Sequence, residues 1–197
     1  MILLVRHGET EWNRARRIQG WGDSPLTARG IRQAHAIGLH LAQMPEVRDA
    51  AVVASPLGRA RRTAEVIQSA RQNNAVISFD DRLKEISLGA WEGLDRVEID
   101  AHSPGIVERF GQDWYFQAPG GETYDMFAER IGAWLAEQGP GTVIAVAHGG
   151  VTRILRGLYA GLSRQAAMEL PVPQDVIWRL EGGRIEEITC RGEPKYG

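Results

Sequence analysis

Two short segments of this sequence combine residue types that suit the chemistry of an anion such as phosphate. One is Arg6-His7-Gly8 and the other is His148-Gly149-Gly150, and each directly follows a short apolar run. A guanidinium group binds phosphoryl oxygens in pairs, and a neutral imidazole nitrogen is a competent nucleophile near pH 7. We therefore interpret both segments as parts of a candidate anion-binding site.

Arg59 and Glu85 add a second arginine and a carboxylate to these candidates. Arg59 lies in the first turn of a helix predicted to begin at Ser55-Pro56, with serine as the cap and proline at the first position. Glu85 follows the third predicted strand. A carboxylic acid can protonate a leaving oxygen and then deprotonate an attacking water, while arginines offset the negative charge. This combination favours phosphoryl transfer through a covalent intermediate, with no metal ion and no organic cofactor.

The hydrophobic pattern predicts the elements that must position these side chains. Apolar runs predict strands at residues 2–6, 50–54, 76–79, 143–147, 176–180 and 185–189. Helical spacing predicts helices after Thr27, Ser55, Glu122, Gly150 and Ser163, and residues 9–22 are predicted to form a long polar loop. Strands that alternate with helices indicate an α/β fold, a three-layer α/β/α domain with a mostly parallel sheet and one antiparallel strand.

A parallel sheet brings the carboxyl ends of its strands to one edge, which is where open α/β sheets bind ligands. We expect His7, His148, Arg59 and Glu85 to meet at this edge. The whole chain, 1–197, is predicted to be a single domain. Its less regular segment, about 80–118, is predicted to form a cap-like part of loops and short helices, and the polar tail after Cys190 is predicted to be loose.

Composition excludes several classes of protein. The formal net charge of −2 lacks the basic surplus of a nucleic-acid binder. No apolar run approaches the length of a membrane-spanning helix, and the first residues do not resemble a signal peptide. Cys190 is the single cysteine, so neither an intrachain disulfide nor a cysteine zinc site is expected. We expect a cytoplasmic protein without nucleic-acid or membrane partners.

Several motifs resemble those of the histidine phosphatase superfamily, in its phosphoglycerate mutase-like branch. The motifs that carry the resemblance are Arg6-His7-Gly8-Glu9-Thr10 with Trp12-Asn13 and Gln19-Gly20, then Ser55-Pro56-Leu57-Gly58-Arg59-Ala60, Leu83-Lys84-Glu85, Gly89-Ala90-Trp91-Glu92-Gly93, Pro119-Gly120-Gly121-Glu122-Thr123 and Ala147-His148-Gly149-Gly150. They occur in the family's order and cover nearly the whole chain.

The resemblance implies a role for each matching residue. His7 would be the nucleophile that becomes phosphohistidine, and Glu85 would be the acid and base. Arg6, Arg59 and His148 would bind the phosphoryl group. The rest of the phosphate pocket would be formed by Asn13, Gln19, Gly20 and the backbone N–H of Gly149.

Other residues have simpler interpretations. Glu92 is the main rival of Glu85 as the acid, while Glu9 and Glu122 are expected to orient the loop or the pocket arginines. Arg14, Arg16 and Arg17 are expected to form a solvated loop face; the alternative is that one of them touches a second anionic group of the substrate. Trp21 and the cluster Trp114-Tyr115-Phe116 either form a wall of the substrate site or belong to the core of the cap segment.

Three functions are compatible with the resemblance. A phosphatase hydrolysing small phosphomonoesters is favoured, because the segment between Glu85 and Pro119 is short and Gln19-Gly20 stands where mutases of the family carry Thr-Gly. A cofactor-dependent phosphoglycerate mutase is the first alternative. A protein that binds a phosphorylated ligand without turnover is the second. A homodimer is compatible with the sequence.

Overall fold

A six-stranded sheet forms the centre of the fold in the computed structural model, which describes residues 1–73 and 76–190. The strands are β1 Ile2–Arg6, β2 Ala51–Ala54, β3 Ile77–Phe79, β4 Val143–Ala147, β5 Val176–Glu181 and β6 Arg184–Thr189. Each predicted strand is confirmed, and no strand end differs from its prediction by more than one residue.

The sheet has the order β3-β2-β4-β1-β5-β6. Strands β1 to β4 are parallel, β5 is antiparallel to β1, and β6 is antiparallel to β5. One strand therefore runs against the other five, as predicted. Gly182 and Gly183 connect β5 to β6, and both have positive φ angles, +56° and +75°, which suit the tight turn of a hairpin.

The eight helices of the described residues are α1 Glu11–Arg14, α2 Ala28–Ala42, α3 Gly58–Ala70, α4 Arg96–His102, α5 Ile106–Phe110, α6 Tyr124–Ala136, α7 Gly149–Ala160 and α8 Arg164–Glu169. The predicted cap of α2 is confirmed, since the Thr27 side chain accepts a hydrogen bond from the Gly30 N–H. Ser163 caps α8 in the same way.

Helices cover both faces of the sheet. Alternate side chains of β1 enter two separate cores: Leu3 packs in the cluster of α2 and α3, and Leu4 packs in the cluster of α6 and α7. All of these strand side chains are inaccessible to solvent. The alternation follows from the period of two in a β-strand and confirms the three-layer α/β/α fold.

Two local predictions were wrong. The segment 9–22 is not entirely loop, because Thr10 and Asn13 form a reciprocal cap that begins α1. Helix α3 begins at Gly58 rather than at Ser55. The Ser55 hydroxyl instead contacts the His148 ring, and the Asp23 carboxylate accepts the Arg59 N–H at the start of the helix.

The segment between β3 and α6 consists of turns, 3₁₀ turns and the short helices α4 and α5, in agreement with its irregular pattern. Its buried residues include Leu83, Trp91, Ile99 and Trp114, which join the core on the α6 and α7 side of the sheet. The tail predicted to be loose, 191–197, lies outside the described residues. Among the helices of the described chain, none has the length and hydrophobicity needed to cross a membrane.

Two helical glycines differ sharply in their surroundings and predict opposite effects on stability. A Cβ at Gly38 would lie 2.6 Å from the Cβ of Ala70 and 2.7 Å from the Ile67 carbonyl oxygen, so α2 and α3 would have to separate. A Cβ at Gly132 in α6 would lie no closer than 3.7 Å to a neighbouring side chain. Gly38→Ala should lower the free energy of unfolding by about 1–3 kcal/mol.

Gly132→Ala serves as the matched control, because the same exchange in an open helical position favours the helix. It should raise the free energy of unfolding by about 0.4–1 kcal/mol. Urea denaturation of both variants gives the two values. A stabilising Gly38→Ala would contradict the described packing of α2 on α3.

Candidate active site

The pairing of β1 with β4 brings the two candidate histidines together. Arg6 is in register with Ala147, and the His7 N–H donates to the Ala147 carbonyl at 2.9 Å. Each strand ends at this point, so His7 and His148 follow as neighbours. Their ring centroids are 5.2 Å apart.

His7 is buried, and one of its ring nitrogens is fixed by the backbone. Nδ1 lies 2.8 Å from its neighbour's carbonyl oxygen, Gly8 O. A carbonyl can only accept, so Nδ1 carries the proton and Nε2 keeps its lone pair. Burial, followed by the positive charges of Arg59 and Arg6, holds the pKa of His7 well below its usual range. The ring is therefore neutral near pH 7.

His148 is fully buried beside His7. Its Nε2 lies 2.7 Å from the Ser55 hydroxyl, whereas Nδ1 is buried without a hydrogen-bond partner among the described residues. Burial and the positive charge of Arg59 also hold the pKa of His148 well below its usual range. The Ser55 contact fixes the ring plane and leaves Nδ1 available to another group.

Arg59 is held by the loop that precedes α2. Its two terminal nitrogens donate to the carbonyl oxygens of Gly20 and Gly22, each at 2.8 Å, and it pairs with Asp23 at 3.2 Å. Its Nε is buried without a partner among the described residues. Burial lowers the pKa of Arg59, and the Glu85 carboxylate opposes this shift.

Like Arg59, Arg6 binds a backbone carbonyl through a terminal nitrogen and has a buried Nε. One terminal nitrogen donates to the Val172 carbonyl, and Nε is buried without a partner within the described chain. Burial lowers the pKa of Arg6, and Glu85 is again the main opposing charge. Three buried polar nitrogens, Arg6 Nε, Arg59 Nε and His148 Nδ1, therefore have no hydrogen-bond partner among residues 1–73 and 76–190.

Three arginines bind the backbone of residues 170–172, next to the pair of histidines. Arg153 donates to the carbonyl of Leu170, Arg156 to that of Pro171, and Arg6 to that of Val172. Arg156 is 2% exposed and stacks on Trp178 at 3.9 Å. Burial lowers its pKa to about 10. We name residues 170–172 the strap, because each of its carbonyls is bound by one arginine.

Glu85 joins the site through backbone contacts. Its two carboxylate oxygens accept the N–H groups of Ile86 and Gly150, each at 3.0 Å. The second contact connects the carboxylate to the first turn of α7, whose N-terminus favours negative charge. The Glu85 carbonyl accepts bonds from Trp21 and Arg130, both at 2.8 Å, so the residue is fixed on both sides.

These elements enclose one pocket of about 280 Å³. The predicted site residues that line it are Arg6, His7, Asn13, Gln19, Gly20, Arg59, Glu85 and Gly149. His148 is not among the lining residues; it is inaccessible to solvent, and its ring centroid lies 5.2 Å from that of His7. The structure therefore brings every predicted site residue to one location at the carboxyl edge of the parallel strands.

The rival carboxylates have structural partners. Glu92 accepts the N–H groups of Leu88, Trp21 and Gly22 at 2.9–3.0 Å and thereby holds the loop that binds Arg59. Glu9 contacts Thr27 and Arg29 of α2, and Glu122 forms two hydrogen bonds with Arg130. None of the three lines the pocket, so Glu85 is the carboxylate that does.

The aromatic cluster is divided between core and pocket. Trp114 is buried in the core, while Tyr115 and Phe116 line the pocket. Trp21 is 44% exposed and fixes the Glu85 backbone through its indole N–H. Arg17 also lines the pocket, but it is paired with Glu98 at 2.9 Å.

Sequence reasoning missed Arg153, which lines the pocket from α7. It also missed apolar lining residues, among them Phe127, Met168 and Val172. A signal for Arg153 was present, because it follows Gly149 by four residues in a helix and so lies on the same helical face. Within the described residues, no group of three or more His, Cys, Asp or Glu side chains is arranged to hold a metal ion.

Comparison with known proteins identifies the class. The sequence model of one protein family, the histidine phosphatase superfamily (branch 1), matches residues 2–185 of this chain. This chain belongs to that superfamily, as its motifs predicted.

Particular relatives carry different names. The chain is 35% identical over 188 residues to a probable phosphoglycerate mutase GpmB of Salmonella paratyphi C, and the match covers 91% of this chain and 84% of the relative. Among solved structures, YhfR of Bacillus stearothermophilus is 31% identical, with a TM-score of 0.78 and 95% of each chain covered. A mycobacterial glucosyl-3-phosphoglycerate phosphatase is 30% identical, with a TM-score of 0.75 over 95% of this chain and 96% of the other.

The environment of His7 predicts its protonation state. Since burial and two arginines lower the pKa, the ring should remain neutral below pH 6.5, where a histidine in a short peptide becomes mainly protonated. The Gly8 contact further predicts that the proton is on Nδ1. Long-range ¹H–¹⁵N NMR spectra at pH 6.0, assigned with His7→Gln, distinguish these forms. An imidazolium spectrum of His7 at this pH would contradict the described electrostatics.

Proposed function

We propose that this protein is a metal-independent phosphatase that hydrolyses small phosphomonoesters through a phosphohistidine at His7. One observation carries the proposal. A neutral, buried imidazole with a free Nε2 lies beside three buried nitrogens, Arg6 Nε, Arg59 Nε and His148 Nδ1, that have no partner among the described residues. Buried polar groups are ordinarily satisfied, and a phosphoryl group supplies the acceptors that the two arginine Nε–H groups require, and that His148 Nδ1 requires in the tautomer in which the Ser55 hydroxyl donates to Nε2.

The first half of the reaction transfers the phosphoryl group to the protein. His7 Nε2 attacks phosphorus, a P–N bond forms and the P–O bond of the ester breaks. Glu85, as a carboxylic acid, gives its proton to the leaving oxygen, and the alcohol departs. Arg6, Arg59 and the Gly149 N–H stabilise the negative oxygens of the transferring group.

The second half returns the site to its starting state. Glu85, now a carboxylate, accepts a proton from water, whose oxygen attacks phosphorus as the P–N bond breaks. Inorganic phosphate leaves and Glu85 is again protonated. Asn13 of α1, together with Gln19 and Gly20 of the loop that Arg59 holds, would contact the phosphoryl group. The charge compensation comes from guanidinium groups, so the mechanism uses no metal ion.

A phosphoglycerate mutase is the second candidate, and the name of the Salmonella relative favours it. A mutase would return the phosphoryl group to a bound sugar acid instead of giving it to water. We favour hydrolysis because the segment between Glu85 and Pro119 is short, and the structurally similar mycobacterial protein bears the name of a phosphatase.

Labelled substrate tests the nucleophile and the acceptor together. With ³²P-labelled phosphomonoester, the wild-type protein should yield an acid-labile, base-stable phosphoprotein and free phosphate. His7→Ala should yield no phosphoprotein and lower turnover more than about a thousandfold. With 3-phosphoglycerate and its bisphosphate, phosphate release should exceed isomerisation, and EDTA should not reduce the rate. If isomerisation exceeded phosphate release, the phosphatase proposal would be wrong and the mutase would be the supported function.

Glu85→Gln tests the acid and base. For an alkyl phosphate, whose leaving oxygen must be protonated, kcat should fall by about 10²–10⁴-fold. For p-nitrophenyl phosphate, whose leaving group departs without protonation, formation of the phosphoprotein should fall less than about tenfold. Glu92→Gln is the matched control and should show no such dependence on the leaving group. Equal losses for both esters in Glu85→Gln would remove Glu85 from the acid role.

A further inference from the structure

The pocket contains one more positive charge than the phosphoryl group explains. Four arginines line it: Arg6, Arg17, Arg59 and Arg153. Arg17 is paired with Glu98, and Arg59 is paired with Asp23. Arg6 and Arg59 have Glu85 as a nearby counter-charge and are the arginines proposed to bind the phosphoryl group. Arg153 pairs with no carboxylate among residues 1–73 and 76–190.

Arg153 is fixed rather than free to turn into solvent. Its Nε donates to the Leu170 carbonyl at 2.8 Å, which spends one of its five N–H groups on the strap. The strap is itself held by the buried Arg156 and by Arg6. The terminal nitrogens of Arg153 make no hydrogen bond within the described residues, and the side chain lines the pocket. The terminal N–H groups of Arg153 are therefore positioned at the pocket wall and are available to a ligand.

Tyr115 lies within electrostatic reach of Arg153 in the same pocket. The charge of Arg153 opposes the rise in the Tyr115 pKa that burial causes, and Glu85 and Arg6 also act on this phenol. Tyr115 stacks on Trp114 at 3.9 Å, which fixes its ring. Its hydroxyl forms no hydrogen bond within the described chain, so it remains available as a donor.

We propose that Arg153 and Tyr115 form a second anion subsite, which recognises a second negatively charged oxygen group on the ester. This inference rests on the proposed function, since it assumes that the phosphoryl group occupies the place beside His7. The substrate class becomes small phosphomonoesters that carry a carboxylate or a second phosphate. The planar guanidinium suits either group, because both present two oxygens to its paired N–H donors.

A matched pair of esters tests the subsite. The esters 3-phosphoglycerate and glycerol 3-phosphate both have three carbons, but the first carries a carboxylate where the second carries a neutral hydroxymethyl group. A third ester, propane-1,3-diol bisphosphate, carries a second phosphate instead of the carboxylate. Arg153→Met should lower kcat/KM by about 10–100-fold for 3-phosphoglycerate, for the bisphosphate or for both, since each carries a second anionic group. This is the loss expected when a hydrogen bond to a charged group is removed. For glycerol 3-phosphate, the change should stay below about threefold. The charged ester whose kcat/KM falls more in Arg153→Met shows whether the subsite prefers a carboxylate or a phosphate.

Two further variants separate recognition from structure. Arg17→Met removes a pocket arginine that is already paired, and it should change all three esters by the same factor. Tyr115→Phe removes the hydroxyl alone and should lower kcat/KM selectively for the charged ester, by about 3–30-fold. Arg153→Lys keeps the charge without the fork and should recover part of the loss.

The outcomes distinguish this inference from the proposed function. If Arg153→Met lowers kcat/KM equally for the neutral and charged esters, Arg153 acts on the phosphoryl group or on the fold, and the second subsite is overturned. If the wild-type protein hydrolyses none of the esters, the phosphatase proposal fails instead. Isothermal titration with 4-phosphonobutyrate and propylphosphonate then tests the subsite without turnover. Tighter binding of the carboxylated compound, lost in Arg153→Met, supports it; equal binding overturns it.

Discussion

The parallel pairing of β1 with β4 is the constraint on which the site depends. Because Arg6 is in register with Ala147, the residues that follow, His7 and His148, leave the sheet side by side. A shift of one residue would turn every side chain of β1 to the opposite face and move Leu3 and Leu4 between the two cores. The register that buries the apolar residues is thus the register that assembles the histidines.

Burial then gives the site its chemistry. Two histidines surrounded by arginines would repel those charges if they were protonated, and desolvation adds to this cost. Both rings are therefore held neutral, and the Gly8 carbonyl selects the tautomer of His7. The positive charge remains on the arginines, whose planar groups suit phosphoryl oxygens better than a protonated imidazole would.

Hydrogen bonds to backbone groups position the arginines that line the pocket. Arg59 is held by two loop carbonyls, and that loop is held by three N–H contacts to Glu92. Arg6 and Arg153 are held by the strap, to which the buried Arg156 also donates. In each case a charged side chain binds backbone carbonyls or amides, which fixes the side chain and the adjoining loop together.

The strands, the helices α2, α3, α6, α7 and α8, the sheet class, the family and the motif residues at the pocket follow from the sequence, because hydrophobic periodicity and motifs of fixed spacing encode them. Tertiary structure decided what spacing does not encode. Helix α3 begins at Gly58, where Asp23, distant in sequence, accepts the Arg59 N–H, and the Ser55 hydroxyl contacts both the Leu57 N–H and the His148 ring. Partners across the fold gave Glu92 a structural role, and no carboxylate of the described residues pairs with Arg153 in the pocket. Such roles depend on which side chains meet in space, and a local pattern along the chain carries no record of those contacts.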